Sequence, residues 1–121
     1  MLTDAGTARL DLFTDSLMLE VGDDLFLAPL DKLSALMQCR ASFCQLSRRY
    51  IGTGGHYLDA VQGIGLRRSK TGSALLFIEQ GALYSLPVVE LREVLHGVRS
   101  SCRISRALTT TEILRVAGVT A

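Results

Sequence analysis

Sliding the chain along itself by 58 positions lays Leu17–Arg48 over Leu75–Arg106 without a gap, and this match limits the possible folds more than any other feature. Eight of the 32 pairs are identical: Leu17/Leu75, Leu25/Leu83, Pro29/Pro87, Leu33/Leu91, Ser42/Ser100, Cys44/Cys102, Ser47/Ser105 and Arg48/Arg106. Both prolines of the chain pair with each other, as do two of its three cysteines. The match predicts a tandem duplication.

Each copy reads alike. Leu17-Met18-Leu19-Glu20-Val21 and Leu75-Leu76-Phe77-Ile78-Glu79 are apolar runs of strand length. Short turns at Gly22-Asp23-Asp24 and Gln80-Gly81 then lead back into Leu25-Phe26-Leu27 and Leu83-Tyr84-Ser85, which predicts a β-hairpin. Pro29 and Pro87 suit the first turn of a helix, where a missing N–H costs nothing. Leu30, Leu33, Leu36 and Met37, and likewise Val88, Leu91, Val94 and Leu95, recur at helical spacing, with Gly97 as a stop. A strand follows in which Ser42, Cys44, Leu46 and Arg48, like Ser100, Cys102, Ile104 and Arg106, share one face that looks inward or towards the other copy. Further strands are expected near Arg9–Phe13 and Ala60–Arg68.

The predicted fold is α+β. Two ββαβ-type repeats, about 9–50 and about 60–108, share one β-rich core about a pseudo-twofold axis, with a short helix from each. The reading makes 1–121 a single domain with residues 51–59 as linker. Residues 109–121 form a C-terminal helix and tail: Thr109 and Glu112 have capping-box spacing, and Gly118 ends the helix.

Composition bounds the function. Counted with glycine and without tyrosine, about 55% of the residues are apolar, against roughly 45–50% in a typical soluble domain. Disorder is therefore excluded, and the surplus hints at an oligomer. The longest strongly apolar run, Ala74–Ile78, is far short of the ~20 residues a membrane-spanning helix needs. An N-terminus without a basic segment or apolar stretch, together with an odd cysteine count, predicts a cytoplasmic protein with no signal peptide.

Chemistry is sparse. Cys39 and Cys44 have no second close pair of cysteines or histidines, so no metal site is expected, and Cys44 and Cys102 read as small core residues. His56 and His96 lack a context that identifies a catalytic partner, Asp23-Asp24 sits in a turn, and no cofactor is expected. Gly52-Thr53-Gly54-Gly55-His56 could cradle an anion but has no nucleotide-binding spacing, so a plain connector is the favoured reading.

The net charge of +1 hides a split. Residues 1–38 carry seven acids and two bases, whereas residues 39–121 carry five acids and eleven bases, ten of them arginine. Arg48, Arg49, Arg67, Arg68, Lys70 and Arg103 lie on or beside predicted strands, with Tyr57 available to stack. Such strands suit single-stranded nucleic acid, although the basic residues can equally pair with the acidic N-terminal third.

The hairpin that runs through Leu-Pro into a helix, Tyr84-Ser85-Leu86-Pro87-Val88-Val89-Glu90-Leu91, resembles a unit of PUR-type and positive-cofactor-type single-strand-binding proteins. It is also similar to the hairpin of chemotaxis coupling proteins of the CheW kind. The likeness spans about twenty residues and transfers no functional residue. The leading expectation is a small non-enzymatic interaction or assembly module that forms a homodimer and does not engage membranes. The alternative is a single-stranded nucleic-acid binder, and an enzyme is the weakest reading.

Overall fold

A computed structural model of the chain describes residues 3–52 and 55–107, with side chains described outside 49–63. Eight strands appear in chain order: β1 (Thr3–Asp11), β2 (Ser16–Val21), β3 (Asp24–Pro29), β4 (Cys44–Gly52), β5 (Gly55–Arg68), β6 (Ala74–Glu79), β7 (Ala82–Pro87) and β8 (Cys102–Ala107). Two helices interrupt them, α1 (Leu30–Met37) after β3 and α2 (Val88–Leu95) after β7. Each strand pairs antiparallel with the next, and β8 pairs back onto β1 through Thr3↔Arg106 and Thr7↔Arg103. The result is a closed eight-stranded barrel.

This corrects the expected α+β fold and, with it, the expected pair of internal repeats about a pseudo-twofold axis. No ββαβ unit stands as a building block, because every strand takes both neighbours from one continuous barrel. The supposed linker 51–59 is a hairpin arm: β4 runs to Gly52, β5 restarts at Gly55, and Gly52 pairs with Gly55. The expected C-terminal helix lies outside the described residues.

Alternation decides what faces inward, since successive strand side chains point to opposite faces. Leu17 and Leu19, Phe26 and Ala28, Cys44 and Leu46, Leu75 and Phe77, Tyr84 and Leu86, and Cys102 and Ile104 fill the interior. Phe77 lies at its centre, stacked on Tyr84 at 5.0 Å and edge-on to Phe26 at 5.7 Å. The helices close one end of the barrel. Leu33, Leu36, Leu91 and Val94 join the same core, α1 against β3, β4 and β5, and α2 against β1, β7 and β8. An eight-stranded barrel is only wide enough for side chains to fill it, and this one is filled.

Local sequence explains the element ends. The turn between β6 and β7 places Gln80 (φ +50°) and Gly81 (φ +76°) in the left-handed region that two-residue hairpins favour. Gly6 allows β1 to press against β2, because a Cβ there would lie 1.8 Å from the Glu20 carbonyl oxygen. Pro29 and Pro87 sit one position earlier than expected, as N-caps with extended ψ. The first helical N–H groups are held instead by the preceding turns, Leu30 N donating to Asp15 O at 3.1 Å and Val88 N to Ser73 O at 2.9 Å.

Both helices end in paired reverse bonds of the Schellman type. After α2, Gly97 N donates to Val94 O and Val98 N to Glu93 O; after α1, Cys39 N donates to Leu36 O and Arg40 N to Ala35 O. The left-handed position is glycine in the first case (Gly97, φ +75°) but Cys39 in the second (φ +59°). A non-glycine residue there carries about 1 kcal/mol of backbone strain. Cys39 is exposed, so its side chain contributes little packing. Cys39→Gly is therefore expected to stabilise the fold by about 0.5–1 kcal/mol, seen as a higher urea midpoint with an unchanged slope.

Candidate functional site

The barrel has two chemically different ends. At the end away from the helices, strand alternation carries charge inward. On β4, Arg48 follows the buried Cys44 and Leu46 on the same face; on β8, Arg106 follows Cys102 and Ile104. Asp24 precedes Phe26 on β3, and Glu79 follows Phe77 on β6. Two guanidiniums and two carboxylates therefore meet at one mouth.

The Arg48 guanidinium bonds directly to the Glu79 carboxylate, lies 4.0 Å from Asp24 and sits 5.2 Å from the centre of the Phe26 ring. Glu79 is buried and Arg48 half-buried. Arg106 borders a cavity of about 390 Å³ whose walls include Asp4, Asp24, Glu79 and Tyr84, and its buried Nε has no hydrogen-bond partner. At this mouth the Arg48–Glu79 pair lies over the aromatic layer, beside the cavity.

At the helix end, Arg68 donates to Leu36 O at 2.5 Å and to Ala41 O at 2.7 Å. It satisfies carbonyls that the end of α1 leaves open and places positive charge at the negative end of the helix dipole. Beside it a groove of about 310 Å³ lies between the end of α1, the β5–β6 turn and the start of α2, with Cys39 and Lys70 on its wall.

The third feature at this end is the β1–β2 turn. Asp11 accepts bonds from Phe13 N at 3.3 Å and from Thr14 Oγ1 at 2.8 Å, and Asp15 takes a positive φ of 53°. These bonds hold Leu12 and Phe13 outward, at 82% and 102% of full exposure.

Of the seven residues singled out from the sequence, the five whose side chains are described do not form one patch. Arg48 faces the barrel interior, and Arg68 caps α1. Arg67 lies on the outside of β5, 4.7 Å above the Phe43 ring. Lys70 is exposed in the β5–β6 turn. Arg103 is exposed on β8, 3.9 Å from Asp4, and β8 is three strands from β5 one way around the barrel and five the other. Arg49 and Tyr57 pair with Leu58 and Tyr50 between β4 and β5, but their side chains lie outside the described residues. Sequence reasoning missed Asp24, Glu79, Leu12 and Phe13 as functional candidates. The available signal for the mouth was the recurrence of Arg48 and Arg106 on the inward face of their strands.

Cys44 and Cys102 are inert by position, whereas Cys39 is exposed. Burial pushes the Cys44 thiol up to about 11, with the Asp31 carboxylate adding to the effect. Burial does the same for Cys102, also to about 11, helped by Glu90. Among the described residues no three His, Cys, Asp or Glu side chains group as metal ligands, and no helix is long and apolar enough to cross a membrane. Comparison with protein families, with curated proteins and with solved structures finds no match for the chain. The fold and its two ends thus define the molecule as a small, filled antiparallel β-barrel with helical plugs.

Three outcomes follow from this geometry. Glu79→Ala strands the Arg48 charge in a half-buried site and is expected to cost about 2–3 kcal/mol in urea unfolding, tempered by the nearby Asp24. Iodoacetamide at pH 8 is expected to label the folded chain once, at Cys39, and the unfolded chain three times by mass spectrometry. The buried thiols also set an alkaline limit. Above pH ~9 the unfolded chain releases thiol protons that the folded chain keeps until about pH 11. Stability therefore falls as pH rises through that window.

Proposed function

We propose that this protein is a non-enzymatic interaction and assembly module that works in the cytosol as a homodimer. The observation that carries the reading is the β1–β2 turn, where Asp11 bonds to Phe13 N and Thr14 Oγ1 and Leu12 and Phe13 are presented to solvent. Large apolar side chains scattered on a surface need no explanation, but two adjacent ones presented on one turn favour a partner. The filled interior adds support. With helices in one end and paired charges at the other, the barrel leaves its outer surface as the place for function. Its polarity, apolar inside with Arg9–Glu20 and Arg103–Asp4 pairs outside, is the reverse of a lipid-spanning barrel and favours an aqueous compartment.

Single-stranded nucleic acid is the weaker reading. Such binding needs a continuous basic groove with stacking platforms, whereas Arg48 and Arg68 are engaged within the fold and Arg67 and Arg103 stand on strands that are not neighbours.

Light scattering at high micromolar concentration is expected to give about 26 kDa, twice the chain's 13.1 kDa. A particle of monomer mass under those conditions would sink the homodimer. Oligonucleotide titration tests the other reading. Salt-sensitive binding that disappears in Arg67→Glu with Arg103→Glu would put nucleic acid ahead.

A further inference from the structure

We infer that the β1–β2 turn of one copy docks, through Leu12 and Phe13, into the groove between α1 and α2 of a second copy, with the reciprocal contact made at the same time. The inference rests on the assembly reading above and specifies its surface. Four observations carry it.

The first is that the fold does not need apolar residues at the turn. Asp11, Thr14 and Asp15 supply its bonds and its positive φ, and positions 12 and 13 contribute only backbone. The turn at the corresponding place on the barrel, between β5 and β6, carries the polar Lys70-Thr71-Gly72 instead. Leu12 and Phe13 are therefore an addition to the scaffold.

The second is the chemistry of the groove. Met37 gives it an apolar wall over the buried Leu75 and Val88, and Lys70 and Arg92 add cations, while Arg68 is held on the α1 carbonyls. At about 310 Å³ it falls at the small end of the range for ligand pockets (~300–1,000 Å³), enough to receive a phenyl ring. Val89, 70% exposed on α2, adjoins Val88 in sequence and lies three positions before Arg92 on the helix surface.

The third is charge. The projecting turn is flanked by Asp11 and Asp15, and the groove by Lys70 and Arg92. Opposite charge around an apolar contact steers and registers association. An anionic membrane or a nucleic acid would be repelled by the same carboxylates, which leaves a cation-rimmed apolar groove as the fitting receptor.

The fourth is placement. Turn and groove lie at one end of the barrel, the end with the helices, and the groove is bounded by the very turn that matches β1–β2 in position. A twofold axis near that end brings both contacts together, as an isologous dimer requires.

The test uses the whole chain. Sedimentation equilibrium is run on the unaltered protein, on Phe13→Asp and on Lys70→Glu with Arg92→Glu. Phe13 is fully exposed, so its replacement is expected to leave the melting temperature unchanged while weakening dimerisation by roughly tenfold or more. The charge reversal is expected to do the same, and added salt to weaken the unaltered dimer. Position is tested directly by Leu12→Cys. Diamide oxidation is expected to give a disulfide-linked dimer through Cys39 on the groove wall of the second copy, and the link should vanish in Leu12→Cys with Cys39→Ser. A dimer that survives both sets of substitutions, or a link that persists without Cys39, overturns the proposed surface and leaves self-assembly standing. An unaltered chain that sediments as a monomer overturns the assembly reading itself, and this inference with it.

Discussion

The seam between β8 and β1 is the contact on which the remaining structure depends. It joins residues about a hundred positions apart, Thr3 with Arg106 and Ala8 with Cys102. Without it the eight strands would form an open sheet with two unpaired edges, each a template for aggregation. With it every strand is paired on both sides, and alternate side chains acquire a true inside. The inward positions then form one cluster rather than one face of a sheet. That cluster still needs ends, and the chain supplies them differently: α1 and α2 plug one end with leucine and valine, and the Arg48–Glu79 pair lies at the other.

Register couples these two solutions. A slip of one residue in β4 would turn Cys44, Leu46 and Arg48 outward together. It would break the Arg48–Glu79 pair and empty part of the apolar core in a single step. A paired charge at the mouth adds little net stability over an apolar filling. Its effect here is to penalise the wrong register, because a guanidinium at the interior edge tolerates only a carboxylate opposite it. Phe26 and Phe77 form the floor of this arrangement, and Arg48 rests on Phe26. The aromatic layer thus separates the ionic mouth from the leucine-rich centre.

Much of the secondary structure was legible from residue order. Alternation and turn residues marked the hairpins at Gly22-Asp23 and Gln80-Gly81, and the helical faces after Pro29 and Pro87 marked α1 and α2. The class was not legible, because an α+β sheet and a closed barrel use the same strands; only the distant β1–β8 pairing distinguishes them, and it leaves no local trace. The segment 51–59 was misjudged because its glycines suggested a connector, although Gly52 and Gly55 flank a hairpin tip. The site was read poorly for a related reason. Strand alternation turns Arg48 inward but does not name its partner: Arg48 and Arg68 each point to an acceptor brought close only by the tertiary fold, Glu79 for one and the carbonyls of Leu36 and Ala41 for the other.

The apolar surplus of the chain changes meaning once the barrel is known. By itself it suggested a buried partner surface, but a closed barrel with two helical plugs absorbs leucine efficiently. Leu17, Leu19, Leu33, Leu36, Leu46, Leu66, Leu75, Leu86 and Leu91 are all fully buried in one chain. Composition therefore stops being an argument for association. What remains is positional. A residue buried in the core is explained by the core, whereas Leu12 and Phe13 stand outside it on a turn whose geometry is set by their neighbours. Exposing them costs solubility and gains no internal contact, and the matching turn on the barrel avoids that cost with Lys70 and Thr71. The case for a partner thus rests on these two side chains rather than on a percentage.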